Sequence, residues 1–205
     1  MLQVVAYTGG EQSENCYLLR DVATGAAALI DPGFDSPDLR AAVEAETISL
    51  ILLTHGHYDH IGGVEAFCKG AQVMALQDEA ALLRDSELNL SAWACPDRLL
   101  SVTPDRFLQD GDTVQLGETI LTVLATPGHT AGGCCYYTPG WLFSGDTLMA
   151  STVGRTDFPT GDSRDLAVSL KKLAKLPDET ALCSGHGPLS SLAREKETNF
   201  YLRSF

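Results

Sequence analysis

Residues 49–60, SLILLTHGHYDH, constrain the fold more than any other stretch of this chain. A short apolar run bounded by turn residues reads as a strand, and this one delivers three histidines and an aspartate into the turn behind it. The plan recurs. TVLATPGH ends at His129, ALCSGHG at His186, AAALIDPG at Asp31 and WLFSGDT at Asp146. The chain contains five histidines, so every one of them follows an apolar run and none is left for a surface helix.

Two of these segments echo two others: LILLTHGH resembles TVLATPGH, and AAALIDPG resembles WLFSGDT. The echoes predict two related halves meeting near residues 111–118, each a sheet with helices outside, packed sheet to sheet. LQVVAY, NCYLL, AAALID and SLILLTH read as strands of the first half. SPDLRAAVEAE reads as a helix capped by Ser36 with Pro37 at its first position. Two more helices are expected over HIGGVEAFCKG and LQDEAALLRD, with QVMA as a strand between them. Residues 86–111 read as irregular structure around a short helix. Strands resume at DTVQLG, ETILTVLATPG, GGCCYYT and WLFSGDT. The helix SRDLAVSLKKLAKL, the strand TALCSG and the helix LSSLAREKETNFYL complete the chain. No linker or low-complexity run interrupts it, and 205 residues suit one domain spanning 1–205.

Composition removes several functions. The net charge is −13 and no basic stripe is visible, which argues against a nucleic-acid partner. No apolar run approaches the roughly 20 residues of a membrane span. The N-terminus shows no secretory signal. The six cysteines have no paired spacing, so reduced thiols in a cytoplasmic protein are expected.

The chemistry lies in the turns. His55 and His57, two apart after a strand, share a face if the chain stays extended. Asp59 and His60 follow where a helix begins. With His129, Asp146 and His186, seven nitrogen and oxygen ligands gather at one edge if the strand ends converge. A catalytic site uses about three protein ligands and an open position, so seven suit two metals with one carboxylate bridging. Imidazole and carboxylate without thiolate fit Zn, Fe, Mn or Co. Clustered imidazoles with no metal would repel one another on protonation.

THGHYDH, TPGHT, SGDT and GHGP, in this order, resemble the metallo-β-lactamase-fold hydrolases, and the resemblance covers nearly the whole chain. DGDTVQLG, GRTDFPTGD and GHGPLSSLAREKETN are similar to segments of the glyoxalase II-like (hydroxyacylglutathione hydrolase-like) branch, in its short single-domain bacterial form. The resemblance implies an α/β (α+β) four-layer αββα sandwich. It implies that His55, His57 and His129 hold one metal, Asp59, His60 and His186 a second, and Asp146 both. Two features differ from full-length glyoxalase II enzymes: the helical domain that those carry is not expected here after His186, and NFYL stands where Asn-Pro is common.

A metal lowers the pKa of its water toward about 7, so a bridging hydroxide is the expected nucleophile. Thioester hydrolysis is the most economical reaction, because a thiolate with a conjugate pKa of about 8.5 leaves without a proton donor. The expected substrate is S-lactoylglutathione or a related acyl-thiol, with two divalent metals, zinc first and iron or manganese after it. Asp59 is the candidate catalytic carboxylate. Arg155, Tyr58 and Phe158 are candidate substrate contacts, although Arg155 has Asp157 and Asp162 nearby as salt-bridge partners. The alternatives are a mononuclear iron persulfide dioxygenase and a lactonase or other hydrolase of the same fold.

Overall fold

The computed structural model describes residues 1–203. Antiparallel strands β1 (Leu2–Gly9), β2 (Glu14–Asp21) and β3 (Ala27–Ile30) lead through helix α1 (Pro37–Glu44) to β4 (Ile48–Leu52), which lies parallel to β3. One-turn helices α2 (Tyr58–Ile61) and α3 (Val64–Phe67) precede β5 (Gln72–Leu76). A 3-10 turn (Gln77–Glu79), α4 (Ala80–Arg84) and α5 (Ser91–Ala94) follow, and β6 (Arg106–Leu108) closes the first six-stranded sheet.

The chain then crosses to a second sheet through β7 (Thr113–Leu116), β8 (Thr119–Ala125), β9 (Cys134–Thr138) and β10 (Trp141–Gly145). A small ribbon, β11 (Leu148–Met149) with β12 (Thr152–Val153), comes next. Helix α6 (Ser163–Leu173) leads to β13 (Ala181–Ser184), parallel to β10, and then to β14 (Ser190–Ser191) and α7 (Leu192–Thr198).

Side-chain alternation divides each sheet between two cores. Tyr17 and Leu19 of β2 and Leu50 and Leu52 of β4 meet Leu121, Val123, Tyr136 and Phe143 of the second sheet. Cys16, Leu18, Ile51 and Leu53 point the other way, onto Leu39 of α1 and Phe67 of α3. On the far side, Leu142 and Leu182 pack under Leu166, Leu170 and Leu173 of α6. Burial of both faces explains why the central strands are apolar throughout. The result is an α/β four-layer αββα sandwich. All six cysteines are free, and Cys16, Cys134, Cys135 and Cys183 are buried. Among the described residues, no helix is long and apolar enough to cross a membrane.

Local signals explain most elements. Ser36 caps α1 by accepting from the Leu39 amide, and Pro37 opens the helix; such a cap contributes about 1 kcal/mol. The helix expected over HIGGVEAFCKG is instead two separate turns. Gly63, between them, packs so closely that a Cβ there would lie 2.6 Å from the Phe34 carbonyl and 2.7 Å from that of Pro32. β6 was hidden in the region read as irregular. Three residues carry no periodicity, and a side-chain bond from the Val73 amide to Asp105 helps fix their pairing.

The internal echo is also redrawn. β3–α1–β4 and β10–α6–β13 have the same pairing: each first strand is antiparallel to its predecessor and parallel to the strand beyond the helix. Thus AAALIDPG and WLFSGDT correspond, as expected. The topological counterpart of LILLTHGH, however, is ALCSGHG. TVLATPGH lies on β8, which is antiparallel to both β7 and β9. Parallel neighbours need a crossover; one precedes β4 and one precedes β13, whereas none precedes β8.

Candidate metal centre

The strand ends meet at one edge of the sandwich. Asp31 follows β3 in the left-handed region, at φ 48°. Its Oδ1 accepts from the Thr54 amide at 2.7 Å, and its Oδ2 from the Thr54 hydroxyl at 2.5 Å. These bonds fix the turn after β4, where His55, Gly56 and His57 lie. The single turn of α2 then carries Asp59 and the fully buried His60. Close packing beneath it needs glycine, since a Cβ on Gly33 would fall 1.6 Å from the Asp59 carbonyl oxygen. β8 supplies His129, β10 supplies Asp146 after Gly145 (φ 48°), and β13 supplies His186 after Gly185.

These seven residues form two groups. His55, His57 and His129 have ligand atoms within 4.8 Å of one another, and so do Asp59, His60 and His186. Asp146 stands between them. Its Oδ2 is 3.6 Å from His129 Nε2 and 3.5 Å from His186 Nε2, while its Oδ1 is 3.5 Å from His60 Nε2. Asp31 also lies near His55 and His60, but its oxygens are engaged by Thr54 and by His60 Nδ1 at 3.0 Å.

Four of the five rings are held from behind. His60 Nδ1 contacts Asp31, His129 Nδ1 the Arg155 carbonyl at 2.7 Å, His186 Nδ1 the Gln12 carbonyl at 3.2 Å, and His55 Nδ1 the Thr54 hydroxyl at 3.1 Å. Such backing bonds set ring orientation and tautomer in metal sites. Beside the other ligand atoms, His55 Nε2 and Asp146 Oδ1 are buried without a hydrogen-bond partner, and His57 Nδ1 faces His129 Nε2 at 3.0 Å. An orphaned polar atom costs roughly 1–3 kcal/mol, and a bound cation would relieve that cost. The residues therefore fit divalent metals by donor type and by grouping.

Electrostatics distinguish the two groups. Burial pushes His55 well below the ordinary histidine range and His57 down to about 3, assisted by neighbouring imidazoles. Both are neutral at pH 7 and present lone pairs. Burial acts the same way on His60, but the Asp59, Asp146 and Asp31 carboxylates outweigh it and raise the ring to about 10. Asp59 is held below the usual carboxylate range, because His60 and His186 overcome the effect of burial.

Above the groups opens a cavity of about 660 Å³, with His57, Asp59, His129, Asp146 and His186 at its base. Leu90, Trp93, Met149, Val153 and Phe158 contribute apolar wall. The Phe158 ring lies 5.8 Å from that of His57, and Tyr58 lines the opening. Arg155 reaches the cavity, but its guanidinium makes a bidentate pair with Asp157, both contacts at 2.6 Å, and lies 3.9 Å over the Phe158 ring. Its main chain does more for the centre than its charge, through the bond to His129.

Sequence reasoning missed three supporting residues. Asp31 was noticed only as an echo of Asp146. Buried Glu79 accepts from the amides of Gly56 and Gly132, at 2.8 Å each. The main-chain carbonyl of buried Asn89 accepts from the Tyr58 amide at 2.9 Å, joining the cavity wall to the histidine loop. Neither Glu79 nor Asn89 carries a local motif. Gly132 is resolved as a close-approach glycine, because a Cβ there would lie 2.1 Å from the Glu79 nitrogen.

With this fold and site in place, the chain belongs to the metallo-beta-lactamase superfamily, whose family pattern matches residues 9–186. It is an enzyme of the metallo-hydrolase kind. A hydroxyacylglutathione hydrolase, GloC, of Haemophilus influenzae is 32% identical, over 99% of this chain and 98% of its own. The BLEG-1 B3 metallo-beta-lactamase superposes with a TM-score of 0.88 at 34% identity, over 98% of this chain and 99% of its own. TTHA1623, solved in a di-iron-bound form, gives 0.85 at 34% identity, over 97% of this chain and 100% of its own.

Proposed function

We propose that this enzyme hydrolyses a small-molecule thioester, S-lactoylglutathione or a related acyl-thiol, at a dinuclear metal centre. The observation that carries the reading is the pair of three-residue ligand groups sharing Asp146 at the base of the cavity. In this reading His55, His57 and His129 hold one divalent metal, Asp59, His60 and His186 hold the other, and Asp146 faces both. The metals supply a nucleophile at neutral pH and a Lewis acid for the carbonyl oxygen.

The protein's own groups do the rest. Asp31, Thr54 and the Arg155 and Gln12 carbonyls hold the imidazoles in one orientation, so little reorganisation accompanies reaction. Asp59, kept ionised, accepts a hydrogen bond from an incoming water and orients it toward the cavity. Phe158, Leu90 and Val153 exclude solvent from the acyl group. A thiolate with a conjugate pKa of about 8.5 leaves unaided. The match to a hydroxyacylglutathione hydrolase along almost all of both chains supports the thioester assignment.

Zinc is the first choice of metal, and the di-iron form of TTHA1623 makes iron the second. Six free cysteines suit a reducing compartment and support the cytoplasm as the site of this activity in our reading. The test joins metal analysis of the purified protein to turnover of S-lactoylglutathione. About two metals per chain with steady hydrolysis is the expected result. One iron per chain, with oxygen consumed in the presence of glutathione persulfide and no thioester cleavage, would replace hydrolysis with persulfide oxidation.

A further inference from the structure

Glu79 is 1% exposed and its carboxylate hydrogen-bonds to glycine amides beside the ligand-type residues, joining the loops that carry three of them. It ends the 3-10 turn after β5, next to β4 in the first sheet. One carboxylate oxygen accepts from the Gly56 amide, between His55 and His57, at 2.8 Å. The other accepts from the Gly132 amide, three residues after His129, also at 2.8 Å. The first loop leaves β4 and the second leaves β8, so one side chain ties the two sheets together at their common edge.

Both glycines lack the room for a side chain on the side facing this region. A Cβ on Gly56 would meet Leu82 and Leu83 at 2.8 Å, and one on Gly132 would meet the Glu79 nitrogen at 2.1 Å. Leu83 is fully buried. The loops are therefore pressed onto the segment 79–83, and the carboxylate is the polar connection between them.

We propose that Glu79 is a positioning residue for the His55, His57 and His129 group, holding its two loops in register so that the three rings face one point. The second group draws His60 from α2 and His186 from β13, and its orientation rests on Asp31 and Gln12 instead. Glu79 thus acts on one metal position and leaves the other largely unaffected. This role rests on the dinuclear reading above.

The geometry also ranks the substitutions. Gln keeps one acceptor oxygen and presents an amide donor where the other loop needs an acceptor, so one loop is released. Ala releases both. Outer groups of this kind typically change metal affinity about 10- to 100-fold.

The experiment is a chelator-competition titration of wild-type, Glu79→Gln and Glu79→Ala protein with zinc, repeated with cobalt(II) to record the visible absorption of each equivalent. One equivalent is expected to weaken about 10-fold in Glu79→Gln and up to about 100-fold in Glu79→Ala, with an altered cobalt spectrum for that equivalent only. The other equivalent should keep its affinity and spectrum. If Glu79→Ala fails to fold, Glu79→Gln decides the matter. Unchanged affinity and spectra at both equivalents, even with a lowered melting temperature, would make Glu79 purely structural and overturn the proposal. Equal weakening of both equivalents would also overturn it. Wild-type stoichiometry reports on the dinuclear reading and the variant-to-wild-type ratio reports on Glu79, so the two fail separately; a wild-type chain that takes up no metal ends both.

Discussion

His57 Nδ1 and His129 Nε2 lie 3.0 Å apart, although 72 residues separate them in the chain. Burial keeps the His57 ring neutral, and in the dinuclear reading these two nitrogens are donor atoms of one metal position. Removing one ring should empty that position and spare the other. His129→Ala is expected to lower metal content by about one ion per chain, and His186→Ala to do the same through the second group. Metal analysis after dialysis checks both. Full occupancy in either variant would dissolve the division into two groups.

Asp146 and Arg155 make a second contrast. The Asp146 carboxylate stands within 3.6 Å of three histidines drawn from both groups. The Arg155 guanidinium is half-exposed and already paired with Asp157. Asp146→Ala should therefore reduce kcat/KM by about 100-fold or more, as expected when a metal-centre carboxylate is lost. Arg155→Ala should cost about 10-fold or less, mainly in KM, because it keeps the main-chain carbonyl that holds His129. Steady-state kinetics decide the order. A larger effect at Arg155 would give its side chain the substrate contact that its pairing with Asp157 argues against.

The legible parts of this molecule were those with a local signature. The ligand-type residues announced themselves because histidine is scarce in this chain and always followed an apolar run. Ser36 and Pro37 marked α1 for the same kind of reason. Glu79, Asn89 and β6 were illegible because what defines them is non-local: an amide across the sheet edge, a carbonyl under Tyr58, a three-residue strand pinned by Asp105. The mistaken half of the internal echo has the same origin. TVLATPGH and LILLTHGH share apolar pattern and turn residues, but strand direction depends on which connections carry helices, and no eight-residue window contains that.

The opposed histidines predict how a metal-stripped chain responds to pH. His57 is lowered to about 3 when folded, against an ordinary value of 6.5. Its contribution to stability is present above pH 6.5 and is lost as pH falls toward 3, where the unfolded ring protonates first. His60 is raised to about 10. Its contribution is present below 6.5 and is lost as pH rises toward 10. Thermal unfolding of the stripped protein should show both limbs. His57→Gln should flatten the acid limb and His60→Gln the alkaline one. Identical limbs in wild type and both variants would mean that other groups govern the profile.

Gly185 isolates geometry from stability. A Cβ there would fall 2.2 Å from Asp146 Oδ1 and 2.6 Å from His60 Cε1, between the residue that faces both groups and a ligand of the second. Its backbone is not among the positive-φ glycines, so alanine meets a spatial obstacle and no conformational one. The added methyl must displace Asp146 or His60. Overpacking of this kind costs about 1–3 kcal/mol, while a displacement near 1 Å at reacting groups can cost about 100-fold in rate. Gly185→Ala is thus expected to remain folded, to bind metal more weakly and to lose about two orders of magnitude in kcat/KM. Gly25 provides the comparison: its φ is 75° and nothing lies within 4 Å of a Cβ there. Gly25→Ala should cost about 1 kcal/mol in strain and leave kcat/KM unchanged. Melting temperature and kinetics measured on the same two preparations separate the effects. Full activity and metal content in Gly185→Ala would show that Asp146 and His60 have room to move, and would remove the tight packing on which their shared geometry depends.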